Sequence, residues 1–230
     1  MLYDKDIREG LFSYLEDLCG KVRIIEEKNM GASRADAVMI TGEDFCGIEI
    51  KSDADTYTRL KSQIGDYDLY FDRNCIVVGS RHALHVREHI PEWWGIITVD
   101  EVDGRPDFYL MRKPEKNPRL VLLKKLSLLW RPELAHIQSL NGLPAYKWKS
   151  KRTVMELIAS RIPYDVLRPQ MSEELFQRDY TAIQETINKF RTEEEGLKPR
   201  RKKRKIRRRS GSTGHPDLHV SHIIRHKKRK

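Results

Sequence analysis

Apolar positions recur with two different periods along the first half of the chain, and each change of period marks an element. From Asp4 to Leu18 the residues Ile7, Leu11, Tyr14, Leu15 and Leu18 fall at helical spacing and predict an amphipathic helix. Val22-Arg23-Ile24-Ile25-Glu26-Glu27 reads as a short strand, and Asn29-Met30-Gly31 turns the chain. Asp36 opens the apolar run Ala37-Val38-Met39-Ile40, Thr41 to Asp44 form a turn, and Phe45 to Lys51 read as the returning strand. Ser52-Asp53-Ala54-Asp55 offers N-cap residues for a helix from Thr56 to Phe71, with Leu60, Ile64, Tyr67 and Phe71 on one face. Asn74 to Gly79 and Gly95 to Val99 are unbroken apolar runs of the kind buried on both faces of a sheet. A helix over His82 to His89 is expected between them, and Phe108 to Met111 predicts one more strand.

That order predicts an α/β core over residues 1–115, a mixed sheet with helices able to cover both faces. After Pro118 the pattern becomes helical. Leu120 to Trp130, Pro132 to Leu140, Lys151 to Arg161 and Ser172 to Phe190 read as helices with basic outer faces, giving an α-helical C-terminal region over 116–197. Residues 198–230 are expected to be a disordered basic tail, too charged and too rich in Gly and Ser to fold alone.

Charge sharpens this division. The whole chain carries +10, but residues 198–230 hold 15 Lys and Arg against one acid, Asp217, which leaves the rest at −4. A mildly acidic body with an intensely basic end predicts a polyanion partner for the tail, most simply nucleic acid, with Arg200, Arg201, Lys202, Lys203, Arg204 and Lys205 at the centre of the run. No apolar stretch is long enough for a membrane span and no secretory signal opens the chain, so a cytoplasmic protein is expected. Cys19, Cys46 and Cys75 lie far apart and are expected to be buried, reduced thiols. His82, His85 and His89 share a helical face and are read as a solvated face.

The candidate chemistry lies where the two central strands meet. Glu49 and Lys51 leave the second strand on one face while Ile48 and Ile50 leave on the other, and the hairpin brings Asp36 close to Glu49. Two carboxylates and an ammonium at the end of an apolar sheet are costly unless they bind something, and a divalent cation is the obvious candidate. A bare Glu-x-Lys is weak evidence, and Glu26-Glu27-Lys28 is a second instance. Only the one ending at Lys51 lies in a strand, follows an Asp-initiated strand and precedes a helix.

Asp36, Glu49 and Lys51 in this arrangement resemble the PD-(D/E)xK nuclease superfamily, with Ala35 where the name has proline. Gln63-Ile64-Gly65-Asp66-Tyr67 fits the Gln-x-x-x-Tyr motif of its RecB-like members, and residues four apart on a helix share a face. The full set, Arg34, Asp36, Glu49, Lys51, Arg59, Gln63 and Tyr67, looks like a little-characterised bacterial branch of that superfamily. The resemblance implies a restriction-endonuclease-like fold and a metal-dependent nuclease. Asp36, Glu49 and the backbone carbonyl of Ile50 would bind Mg²⁺ or Mn²⁺, Lys51 would orient the attacking water or stabilise phosphate charge, and Gln63, Tyr67, Arg34 and Arg59 would meet nucleic acid. DNA is expected ahead of RNA. Some members add an acid from the first helix, where Glu9 is the counterpart; helical geometry turns Glu9 roughly 200° from Ile7, and Glu27 is the better fourth acid.

Two other classes stay open. One is a catalytically inactive nuclease fold kept as a nucleic-acid-binding or regulatory module. The other is a ribosomal or nucleoid-type structural protein, suggested by the tail alone. The helical region could also seat a protein partner, and cutting both strands of a duplex would suggest a homodimer.

Overall fold

The computed structural model of the chain describes residues 4–178. Its centre is a six-stranded mixed sheet whose spatial order follows the sequence. The strands are β1 (Arg23–Met30), β2 (Ser33–Ile40), β3 (Phe45–Lys51), β4 (Arg73–Gly79), β5 (Gly95–Val102) and β6 (Arg105–Arg112). β1, β2 and β3 form an antiparallel meander, β3, β4 and β5 run parallel, and β6 returns antiparallel at the edge. Antiparallel neighbours need only tight turns, whereas the two parallel steps need crossovers. Helix α2 (Leu60–Tyr70) supplies the first; the second is made by the short α3 (Ser80–Ala83) and a single 3₁₀ turn at Val86–Glu88.

Side-chain alternation sorts the sheet into two apolar layers. Helix α1 (Asp4–Cys19) lays Ile7, Leu11 and Leu15 over Met39, Cys46, Ile48, Ile50 and Val77. The opposite face, with Val38, Ile40, Phe45, Ile76 and Val78, is covered by Leu60, Ile64, Tyr67 and Phe71 of and after α2. The same cluster continues into α4 (Leu122–Ser127), α5 (Arg131–Leu140), α6 (Lys151–Arg161) and α7 (Tyr164–Gln177), so the helical region and this face of the sheet share one core. No described helix is long and apolar enough to cross a membrane.

Several elements differ from the expectations in instructive ways. α2 begins at Leu60 rather than Thr56, because Asp55 turns back to accept from the N–H and hydroxyl of Ser52 (2.9 and 2.7 Å) and closes a turn where an N-cap was predicted. The single helix expected over His82–His89 is broken into α3 and the 3₁₀ turn. α7 starts at Tyr164 instead of Ser172, with Pro163 just before it and Pro169 accommodated within it. The predicted remainder of that helix, the basic tail and its run Arg200 to Lys205 lie outside the described residues. Cys46 and Cys75 are buried free thiols as expected, but Cys19 is exposed at the end of α1.

Buried polar pairs lock the helical region to the sheet. Asp72, just before β4, accepts from Lys125 Nζ of α4 (2.7 Å), the Tyr164 hydroxyl of α7 (2.5 Å) and the Phe45 N–H of β3 (2.7 Å). Burial pulls the Lys125 ammonium down from its usual pKa and Asp72 pulls it back up. Asp68 of α2 accepts from the Trp94 indole (2.8 Å) and the Asn74 amide (3.1 Å), holding α2 down on β4 and β5.

Candidate active site

Asp36 sits at a break in the sheet. β2 and β3 pair from Ile40↔Phe45 to Ala37↔Ile48 and the ladder then stops, one step before Asp36 would face Glu49. On the other side, the β1–β2 register sets Glu27 across from Asp36, but that pair is also skipped, with Glu27 at φ +50°. The backbone of Asp36 is therefore satisfied by side chains (an unpaired buried polar group would be costly). Its N–H donates to the Tyr67 hydroxyl (3.3 Å), and its carbonyl accepts from Arg8 Nη1 (3.1 Å). Its carboxylate completes the gap: Oδ2 accepts the Ile50 N–H at 2.8 Å, and Oδ1 lies 3.6 Å from Arg8 Nη2.

Glu49 lies next to it, fully buried. Its Oε1 accepts from Lys51 Nζ and from Gln63 Nε2, both at 2.5 Å, and its Oε2 accepts from the Tyr67 hydroxyl at 2.8 Å. Lys51 is only 6% exposed. As strand alternation predicts, Glu49 meets α2 and carries Lys51 on the same face, while Ile48 and Ile50 enter the core under α1. Gly47 makes this approach possible. A Cβ there would collide with the Phe71 ring and come within 2.6 Å of Tyr67 Cδ1, so any larger residue would push α2 away from β3.

The electrostatics follow from burial. Desolvation raises the Asp36 carboxyl from 3.8 to about 6, the Glu49 charge adds to it, and the Ile50 N–H, Lys51 and Arg8 hold it back. Burial likewise pushes the Tyr67 hydroxyl well up, reinforced by Glu49 and Asp36, so Tyr67 remains a hydrogen-bond donor. Two carboxylates thus share the site with two cations, Arg8 on Asp36 and Lys51 on Glu49, and burial still lifts the Asp36 carboxyl.

Beside Asp36 a polar groove of about 480 Å³ runs between the β1–β2 turn and the start of α2. Asn29, Ser33, Arg34, Arg59, Ser62 and Gln63 line it, with no aromatic or aliphatic wall beyond Ala32. Arg34 and Arg59 are exposed here, where phosphate contacts were expected. Arg34 is also held by Glu27 Oε2 at 3.1 Å, and this is where Glu27 goes: its carboxylate lies on the exposed surface with Arg34 instead of joining Asp36 and Glu49. Glu9 is exposed. The structure therefore brings together Asp36, Glu49, Lys51, Gln63, Tyr67 and the Ile50 backbone, and leaves Glu27 outside.

Arg8 is the site residue that the sequence reading missed. It shares the α1 stripe of Leu11, Leu15 and Leu18, so a cation interrupting that stripe was the available signal. It grips Asp36 through carbonyl and carboxylate and reaches Glu26 Oε2 at 3.4 Å.

Whether a hard cation fits can be judged from lone pairs. Among the described residues no group of three or more His, Cys, Asp and Glu side chains converges as a metal cage. Asp36 and Glu49 nevertheless keep acceptor capacity: Oε2 of Glu49 and Oδ2 of Asp36 each accept one hydrogen bond, and Oδ1 of Asp36 has only the distant Arg8. The buried Oε1 of Gln63 has no hydrogen-bond partner among the described residues. Two carboxylates with spare lone pairs beside an orphaned amide oxygen suit an oxygen-preferring ion such as Mg²⁺.

Compared with known families, residues 4–200 match the model of bacteriophage P4 protein cII, a span that contains every described element. No curated protein matches the chain.

Proposed function

The chain belongs to the bacteriophage P4 cII family, and because that name carries no activity we propose a function from the site itself: a metal-dependent nuclease of PD-(D/E)xK type, acting on DNA ahead of RNA in the cytoplasm. One observation carries the reading. Asp36, its side chain 26% exposed on the wall of an open polar groove, stands beside the fully buried Glu49, and its carboxyl is lifted to about 6 by burial and by the Glu49 charge. A carboxyl desolvated beside a second carboxylate at the wall of a groove is the arrangement expected of a functional site.

In this reading Asp36 and Glu49 would hold the ion, with the Ile50 carbonyl as the third protein oxygen. When bound, Mg²⁺ or Mn²⁺ supplies a Lewis acid for the phosphate and a lower pKa for a coordinated water. Lys51, anchored on Glu49, aims a compact positive charge at the reacting phosphate. Gln63 and Tyr67 fix Glu49 from α2, so the carboxylate does not turn with substrate. Arg34 and Arg59 steer phosphates along the groove, and the basic tail raises local nucleic-acid concentration without reading sequence.

A second reading has one observation in its favour. Lys51, Gln63 and Tyr67 already satisfy the buried Glu49 without any ion, as an inactive scaffold would require. Calorimetric titration of Mn²⁺ into wild type, Asp36→Asn and Glu49→Gln separates the two, read beside cleavage of plasmid, single-stranded DNA and RNA. Mn²⁺ binding lost in both variants, with metal-dependent cutting, supports the nuclease; nucleic-acid binding in chelator with neither ion binding nor cutting supports the scaffold.

A further inference from the structure

The loop joining α5 to α6, residues 141–150, displays a tryptophan between two lysines. The Trp148 indole is 67% exposed, and none of the aromatic pairs among the described residues includes it. Single exposed apolar residues are ordinary on protein surfaces, so exposure alone says little. Two further observations separate this one.

The first is charge. Lys147 and Lys149 flank Trp148 and are exposed, and no acid occurs in the sequence from Gly142 until Glu156, which pairs with Arg152 at 2.9 Å. The second is construction. Tyr146 adopts φ +44°, a left-handed conformation that costs a non-glycine residue free energy. The loop holds it there: the Tyr146 carbonyl accepts from Arg131 Nη2 (2.9 Å) and from the Lys149 N–H (3.0 Å), and the Pro144 carbonyl accepts from Gln138 Nε2 (2.6 Å). The Tyr146 ring packs at the edge of the core while the turn sends Trp148 outward. Ser150 then caps α6 by accepting the Thr153 N–H at 3.1 Å, so both ends are tied down.

We infer that this loop is a binding element for single-stranded nucleic acid, with a base stacked on Trp148 and the adjoining phosphates held by Lys147 and Lys149. A flat π face between two ammonium groups matches the alternation of bases and phosphates along a strand. Single strands are favoured over duplex because a paired base offers no free face. The loop needs none of Asp36, Glu49 or Lys51, so its role stands apart from the chemistry proposed above.

The test is anisotropy of labelled oligo(dT) and of a labelled duplex with the full chain, across a salt series. Wild type is compared with Trp148→Ala, Trp148→Phe and the double variant Lys147→Ala/Lys149→Ala. Elevated salt weakens the contribution of the basic tail, leaving the stacking contribution in view. Trp148→Ala is expected to lose about 5- to 150-fold in oligo(dT) affinity, the ~1–3 kcal/mol of one base–aromatic stack, with its salt slope and duplex affinity unchanged. Trp148→Phe should recover most of the loss, and the double lysine variant should lower the salt slope by about 1–2. Unchanged oligo(dT) affinity in Trp148→Ala would overturn the inference, as would equal losses on single strand and duplex. A change in oligomeric mass without any change in nucleic-acid affinity would assign the loop to a protein partner instead.

Discussion

Replacing Asp36 by Asn should make the metal-free protein more stable at neutral pH, although a partly buried, hydrogen-bonded residue is being changed. Asn keeps an acceptor for the Ile50 N–H that Oδ2 now serves at 2.8 Å, and removes only the charge. The cost of that charge follows from linkage. A carboxyl raised from 3.8 in the unfolded chain to about 6 in the fold corresponds to about 3 kcal/mol. The sign is fixed by proton binding: between those values the folded state holds the proton more tightly than the unfolded one. Wild type therefore loses stability relative to Asp36→Asn as pH rises through that window, and below about pH 4 the two converge. Urea unfolding in chelator at several pH values measures the gap. It should open from near zero under acid conditions to about 3 kcal/mol above about pH 7. Added Mn²⁺ should then stabilise wild type and leave Asp36→Asn unmoved. A variant less stable than wild type at neutral pH, or a gap that does not vary with pH, would refute the reasoning.

Gly47→Ala should cost about 1–3 kcal/mol by thermal melting and lower cleavage as well, because its methyl strikes the Tyr67 and Phe71 rings that seat α2 against β3; unchanged melting would contradict that packing. Asp72→Ala should cost about 3–5 kcal/mol, since it strands the fully buried Lys125 charge, and adding Lys125→Met should recover much of the loss. Additive destabilisation in the double variant would mean the pair is not coupled. Truncation after Leu197 should weaken duplex binding and flatten its salt dependence while leaving cutting at saturating DNA intact; loss of cutting at saturation would show that the tail takes part in the reaction.

Most of the sheet was legible because its strands are alternating or unbroken apolar runs bounded by turn residues. Phe45–Lys51 and Lys151–Arg161 occupy the predicted bounds, and the order of elements through β6 follows the change of period. The hidden features depend on contacts made across the fold. The start of α2 was misplaced because Asp55 serves Ser52, a choice between cap and turn that local sequence leaves open. α7 begins at Tyr164, ahead of the predicted Ser172, and Leu167, Met171 and Leu175 are buried in the shared core with Pro169 inside the helix. In the site, strand alternation and the four-residue spacing of Gln63 and Tyr67 were enough to gather those residues around Glu49. Glu27 was placed on the correct strand beside Asp36, yet its positive φ sends the carboxylate to Arg34. No periodicity shows such a local reversal. Arg8 stood in the apolar stripe of α1, a conflict between charge and pattern that marks a residue with a partner across the fold.

The central claim is that Asp36, Glu49 and Lys51 hydrolyse phosphodiester bonds together with a divalent ion. Single-turnover cleavage of supercoiled plasmid in Mg²⁺ tests it most directly, comparing wild type, Lys51→Ala and the distant surface variant Glu156→Gln at matched folded fraction. The account predicts cutting that chelator abolishes, that Lys51→Ala reduces by about 100-fold or more, and that Glu156→Gln leaves at the wild-type rate. Equal cutting by wild type and Lys51→Ala, or cutting that survives chelator, would contradict it.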